Sequence, residues 1–295
     1  VLNFALRQVL GPAVDQKGSH VSDERLRFDF SHKRALTVEE LVKVEDIANE
    51  VIAKQMQVFT QTVPLSVAME INGLRAVFGE AYPDPVRVVS VGADLPAVLS
   101  SPTDSHWSDY SVEFCGGTHL HNTSDAMACC VVEESGIAKG IRRISAITGE
   151  GAVAAIAETN SCKERILQLA NSIHENLTIG EYEILEQHIL ELRGHLDAAI
   201  VSQGAKKSMR SELEGMQKKT RALRTAARQV HTSNIIRQAV QEATEWLEQS
   251  DSPAMVQVLE LGSDAAAVKR AIEQLKKIHP DFSYLGISTN SQQLE

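Results

Sequence analysis

Two runs of apolar residues at heptad spacing constrain this chain more than any other feature. Leu185, Ile189, Leu192, Leu196 and Ala199 follow intervals of 4, 3, 4 and 3. Met209, Leu213, Met216, Thr220, Leu223, Ala227 and Val230 repeat the same alternation. Such spacing lays one apolar seam along each helix, and a seam needs a partner to cover it. Gly204 lies between the runs, which predicts two long helices folded back as an antiparallel hairpin. A single extended rod is the alternative. No proline falls between Pro102 and Pro253, so nothing in the interval breaks a helix.

The first 150 residues have a different texture. Leu2, Leu6, Val9 and Leu10 recur at helical spacing, and Gly11-Pro12 stops them. Residues 16–19 read as a turn. Residues 26–30 alternate apolar and polar, as a half-buried strand does. Thr37 and Glu40 form a capping-box pattern that opens a helix with the stripe Leu41, Val44, Ala48 and Val51. Pro83-Asp84-Pro85 breaks the chain before a strand over 86–91, and 111–114 is a short strand running into Cys115. Residues 126–133 and 141–148 read as paired strands around Gly136 and Gly140. Beyond the heptads, strands at 255–261 and 284–288 flank an amphipathic helix at 264–279. That is one β-α-β unit, too small to bury both sheet faces. The chain is therefore expected to be α+β: a mixed-sheet domain over 1–150, a helical hairpin arm over 151–250, and a truncated β-α-β unit over 251–295.

Composition sets outer bounds. Apolar residues make up 43% of the 295, enough for a proper core, but aromatics only 4%, so aliphatic side chains must build it. The longest apolar run, Ala126 to Val132, has seven residues, far short of the roughly 18 that cross a bilayer. No membrane association is expected, and no secretory signal is visible. Cys115, Cys129, Cys130 and Cys162 lack a disulfide-framework spacing, which points to a reducing compartment. Cys129 and Cys130 fall in a strand and read as core. Val1 is not Met, which suggests a cut from something longer. The net charge of −10 argues against generic nucleic-acid binding. Locally the sign reverses: 206–228 holds eight basic residues against two acidic ones, a net of +6. Lys206, Lys207, Lys218, Lys219, Arg221 and Arg224 are thus candidates for phosphate contact. A solvated helix face is the alternative.

The chemistry concentrates at Cys115-Gly116-Gly117-Thr118-His119. A thiolate and an imidazole four residues apart can share a metal ion, and the two glycines let the backbone fold tightly between them. Two ligands are too few for zinc, which takes three or four from protein. A buried cysteine near a surface histidine is the structural alternative.

The surrounding words carry a resemblance. Ser111-Val112-Glu113-Phe114 followed by Cys115-Gly116-Gly117-Thr118-His119 resembles the second metal motif of the alanyl-tRNA synthetase editing domain. Asp15-Gln16-Lys17-Gly18-Ser19 resembles another motif of that family, as does Asp23-Glu24-Arg25-Leu26-Arg27-Phe28-Asp29-Phe30. So do Tyr82-Pro83-Asp84-Pro85 with Val86-Arg87-Val88-Val89-Ser90-Val91, and Lys139-Gly140-Ile141-Arg142-Arg143-Ile144 with Thr148-Gly149. These motifs occur in family order. The helical hairpin and the start of a C-terminal domain extend the resemblance, less specifically, over the whole chain.

The resemblance implies a module of an ATP-dependent alanine–tRNA ligase that hydrolyses mischarged Ser-tRNA(Ala) and Gly-tRNA(Ala). A pocket for alanine cannot exclude smaller glycine and discriminates poorly against one added hydroxyl, so a second site must check the product. It implies zinc held by Cys115 and His119, with the family's His-x-x-x-His pair expected just before Val1. Zinc would activate water or orient substrate. ATP and Mg²⁺ would serve only an aminoacylation core outside this chain. Gln16 is implied as a catalytic-site residue near the substrate. Gly116, Gly117, Thr118, Arg142 and Arg143 are implied at the substrate, although strand-edge ion pairs are an equal reading of the two arginines. His121 is a stray ligand at most. His20, His32 and His106 read as surface residues, Asp29 and Glu113 as structural. The expected partner is tRNA(Ala), with self-association through the C-terminal part as a further candidate. The expected compartment is cytoplasmic, with mitochondrial as the alternative. A free-standing trans-editing protein and a catalytically dead tRNA-binding module are the rival readings. A thiol hydrolase built on Cys115 lacks a visible orienting partner.

Overall fold

A computed structural model describes residues 1–77, 80–250, 252, 254–262, 264–281 and 283–288. It divides into two compact units, Val1–Gln168 with Glu191–Glu214, and Leu169–Leu190 with Gly215–Glu295.

The first unit opens with α1 (Leu2–Leu10), β1 (Gln16–Val21), β2 (Leu26–Ser31) and α2 (Val38–Ala53). It continues through β3 (Val58–Val63), α3 (Leu65–Ala68), β4 (Val86–Val91), α4 (Leu95–Ser100) and β5 (Ser111–Phe114). It closes its sheets with β6 (Cys129–Ala138) and β7 (Ile141–Thr148). Three helices, α5 (Gly149–Ser172), α6 (Ile179–Ala198) and α7 (Gln203–Gln249), contribute residues to both units. The second unit ends with β8 (Ala254–Leu259), α8 (Ala265–Ile278) and β9 (Ser283–Ser288). The α+β class follows directly.

The sheets of the first unit are two, ordered β1-β2-β7-β6 and β3-β4-β5. Every strand pair in them is antiparallel, not mixed as expected. For two of the five pairs the reason is local: β1–β2 and β6–β7 are closed by short connections, and short connections force antiparallel neighbours. Gly140 sits in the β6–β7 turn at φ +74°, where a side chain would be strained. The expected turn at 16–19 is instead the start of β1, which pairs with β2 from Gln16–Phe30 to Val21–Leu26 through an irregularity at Lys17. Its side chains are mostly exposed, so it carries no apolar alternation to betray it.

Two cores hold this unit. Leu6 of α1 and Leu41 and Val44 of α2 pack with Phe28, Phe30 and Ile144 of the first sheet. Helix α2 begins as its sequence predicts, with Thr37 and Glu40 satisfying each other's backbone N–H groups in a capping box. Val63, Val86, Val88 and Val112 of the second sheet pack with Leu95 and Val98 of α4. Ala152 and Ala155 of α5 pack on Cys130, so this helix starts as part of the sheet's own core.

Within the first unit, buried Leu192 and Leu196 of α6 accompany buried Met209 and Leu213 of α7. Ion pairs Asp197–Arg210 at 2.6 Å and Arg193–Glu214 at 3.7 Å bracket the turn between the helices. The chain therefore reverses there and does not continue as a rod. In the second unit Leu185, Ile189 and Thr220 are buried, and Arg224 pairs with Glu186 at 3.1 Å and Glu183 at 3.7 Å. The heptad seam fades toward Val230, which is 61% exposed.

The terminal β-α-β unit pairs β8 with β9 in parallel. Leu259 packs with Ala267 and Ala271 of α8 and with Ile236 and Ala239 of α7. On the alternate positions Val256, Val258, Leu285 and Ile287 stand exposed. One covered and one open face is what so short a unit was expected to show.

Candidate functional site

Strand β4 is central in its sheet, and all of its positions but one are buried. That exception is Arg87. Its guanidinium Nη1 donates to the Cys115 carbonyl at 3.2 Å and to the Gly117 carbonyl, while the Cys115 N–H donates to the Arg87 carbonyl at 3.4 Å. Arg87 thus holds the loop leaving β5 in place. An arginine in this otherwise buried strand stands out, but no local spacing in the sequence ties it to the loop after β5. The two glycines play a different part from the one expected. Neither Gly116 nor Gly117 lies in the left-handed region. A Cβ at Gly116 would meet nothing, and one at Gly117 would make ordinary contact with Cys115 Sγ at 3.6 Å. They leave open space beside the thiol; they are not needed to turn the backbone.

Cys115 is a free, half-buried thiol. It opens into a cleft of about 450 Å³ whose lining includes Val1, Leu2 and Asn3 at the start of α1, Gln16 of β1, Tyr82, and Arg87. The Val1 nitrogen donates to Ser111 Oγ at 3.4 Å, and Ser111 Oγ donates to Glu113 Oε1 at 3.0 Å. The start of α1 is thereby tied to β5, next to the thiol. His119 does not line the cleft. Its pKa is lowered by desolvation, then by Arg87, with Glu113 opposing. His119 is exposed on the loop that follows β5, within electrostatic reach of Arg87. Thr118 is exposed on the same loop. His121 is held elsewhere, its carbonyl accepting from Val58 N–H at 2.9 Å.

Gln16 borders both this cleft and a small adjoining cavity, and its Nε2 donates to Ser19 Oγ at 2.9 Å. Two further polar side chains at that cavity were missed. Asn3 and Arg75 are each 7% exposed, and Asn3 Oδ1 and Arg75 Nε have no hydrogen-bond partner.

The arginines Arg142 and Arg143 are not at the cleft. Arg142 grips Glu134 through Nε at 2.7 Å and through Nη2. Arg143 forms a two-pronged pair with Asp29 at 2.7 and 2.8 Å, and those hydrogen bonds lower the Asp29 pKa. Of the two readings of these residues, the structure has the ion pairs. Much of the basic cluster is likewise engaged. Lys207 Nζ reaches Glu134 at 3.1 Å, and Lys206 Nζ caps the end of α6 at the Asp197 and Ala199 carbonyls, at 2.9 and 3.0 Å. In the second unit Lys219 Nζ donates to the Ile173 carbonyl at 3.4 Å, and Arg224 is paired as described. Lys218 and Arg221 are exposed.

Comparison with known proteins gives the class of the domain. Residues 86–145 match the family model described as the threonyl and alanyl tRNA synthetase second additional domain. Over 149 residues, half of this chain, it is 60% identical to the mitochondrial alanine–tRNA ligase of Saccharomyces cerevisiae, covering 15% of that protein. Over 99% of the chain it is 37% identical to the cytoplasmic alanine–tRNA ligase of Dictyostelium discoideum, covering 30% of it. Over 98% it is 35% identical to the mitochondrial alanine–tRNA ligase of Rattus norvegicus, covering 28%. The chain belongs to the alanyl-tRNA synthetase family. It spans at most 30% of the length of the relatives named here. Among the described residues, no helix is long and apolar enough to cross a membrane.

Proposed function

We propose that this chain supplies the proofreading module of an alanine–tRNA ligase, which hydrolyses the ester joining serine or glycine to tRNA(Ala). Residues 1–150 would form the hydrolytic domain, 151–250 an arm, and 251–295 the start of a C-terminal domain. The observation that carries the reading is the Cys115 thiol opening into a cleft of about 450 Å³ beside Gln16 and the start of α1.

The donor chemistry fits zinc. A half-buried thiol and an exposed imidazole, His119, lie on one loop clamped by Arg87. Cys115 and His119 would hold the ion, and it would supply Lewis acidity for water or ester. Gln16 can donate Nε2 to a substrate hydroxyl by giving up Ser19. Gly116 and Gly117 leave room for the ester beside the thiol, and Thr118 offers a hydroxyl at the loop's exposed side. Arg87 holds the loop by its Cys115 and Gly117 carbonyls.

The experiment is deacylation of Ser-tRNA(Ala), Gly-tRNA(Ala) and Ala-tRNA(Ala), with zinc content measured alongside. Two ligands hold an ion weakly, so the chain alone is expected to deacylate poorly. Fusing a helical turn carrying His-x-x-x-His ahead of Val1 should raise zinc content and hydrolysis together, and Cys115→Ala should abolish both. A fused chain that holds zinc yet spares all three esters sinks the proposal, as does full activity without zinc.

A further inference from the structure

We propose that Glu158, Cys162 and His195 form a second metal site, suited to zinc-like borderline cations and built across two helices of the first unit. Glu158 and Cys162 are one helical turn apart on α5, so they share a face. His195 meets them from α6. Cys162 Sγ lies 3.4 Å from Glu158 Oε1, His195 Nε2 lies 2.6 Å from the same oxygen, and the three donor atoms are mutually within 4.8 Å. None of the three lines the Cys115 cleft.

The geometry is close to what a tetrahedral ion asks. Zinc–ligand bonds of about 2.0–2.3 Å put ligand atoms roughly 3.3–3.7 Å apart. The sulfur–oxygen distance already matches. The imidazole and carboxylate must part by about 0.7 Å, and both side chains are free to do so, at 45% and 37% exposure. Cys162 is fully buried and serves as the fixed anchor. Three protein ligands leave one position for water or an exogenous ligand.

The donor set selects the metal class. Thiolate and imidazole favour zinc and its neighbours over magnesium or calcium, which take oxygen ligands. Thiolate and carboxylate together neutralise a dication. Arg165 and Lys206 lie within electrostatic reach of Cys162. They favour the thiolate but repel the cation, so the affinity should fall below that of a closed structural site. Lys206 is partly withdrawn, its Nζ turned to the carbonyls that end α6. Without metal the same groups form a thiol–carboxylate–imidazole network. An incoming ion displaces the thiol proton, because the thiolate is the ligand.

The test uses cobalt as probe in the full chain carrying Cys115→Ala, which removes the other metal-directed thiol and makes the result independent of the proofreading proposal. Titration at neutral pH should give a thiolate-to-cobalt charge-transfer band that zinc displaces. Cys162→Ala should abolish the band. Because that residue is buried and its replacement can unfold the chain, His195→Ala, at an exposed position, is the second arm: it should weaken cobalt binding by about tenfold or more. No band, a band that survives in folded Cys162→Ala, or unchanged affinity in His195→Ala each overturns the site.

Discussion

Glu134 shows how one carboxylate organises a region. Its side chain is 1% exposed and receives Arg142, Lys207 and the Leu36 N–H. Burial alone would raise its pKa, but the hydrogen bonds from Arg142 and Lys207 outweigh that and hold it below the ordinary 4.5. A lowered carboxyl contributes stability that is complete above the unfolded value and lost as pH falls toward the folded one. Glu134→Ala should therefore cost about 3 kcal/mol at neutral pH, since it strands two cations that are only partly solvated. The gap between wild type and Glu134→Gln, read from denaturant melts, should narrow below pH 4.5; a gap independent of pH would show that the cations do not hold the charge. Arg87 acts differently, through carbonyls. In Arg87→Met the amides of 115–119 should exchange about tenfold faster, with global stability changed by about 1 kcal/mol or less. Unchanged exchange would mean that the loop holds itself.

At the scale of elements, α2 joins a cap to an ion pair. Its capping box joins Thr37 to Glu40, and Arg34 pairs with Glu40 at 2.6 Å. Thr37→Ala should cost about 1 kcal/mol. The Arg34 hydrogen bond, against some desolvation, lowers Glu40 to about 2. The stability lost in Glu40→Gln should thus be complete above pH 4.5 and vanish as the pH approaches 2. A chemical-denaturation series checks both, and a constant offset down to pH 2 would assign the loss to the cap alone. Helices with capping signals and an apolar stripe, α1, α2 and α8, were legible in the sequence. So were β2, β4 and the β6–β7 hairpin, whose alternation or turn glycine announces them. Strand β1 was not, because an exposed edge strand has no inner face to encode. Strand β3 fails for a related reason: three of its six residues are exposed and only Val63 is buried. The loop bearing Cys115 and His119 was legible by residue type. Arg87, Asn3 and Arg75 were not, because they reach that region from other elements and no local spacing records it.

At the scale of the molecule, charge decides what α7 can bind. The chain carries −10 overall, so attraction to a polyanion must come from local cations left free by the fold. The fold spends several of them internally. Lys207 serves the buried Glu134, Lys206 the end of α6, and Arg224 the carboxylates of α6. Lys218 and Arg221 remain exposed, one turn apart on α7. If tRNA is the partner, each phosphate contact releases counterions, and the logarithm of affinity falls with the logarithm of salt by roughly 0.7–0.9 per contact. Replacing Lys218 and Arg221 together by glutamine should then lower that slope by roughly 1.4–1.8 and weaken binding at low salt. Lys207→Gln should leave the slope alone and lower stability instead, because its charge already neutralises Glu134. The two outcomes separate a recognition surface from a solvated helix face. Filter binding of tRNA(Ala) across a salt series, with melts of each variant alongside, reads both. An equal slope in the double variant would assign Lys218 and Arg221 to solvation, and a slope change in Lys207→Gln would mean that its pairing with Glu134 opens to admit phosphate.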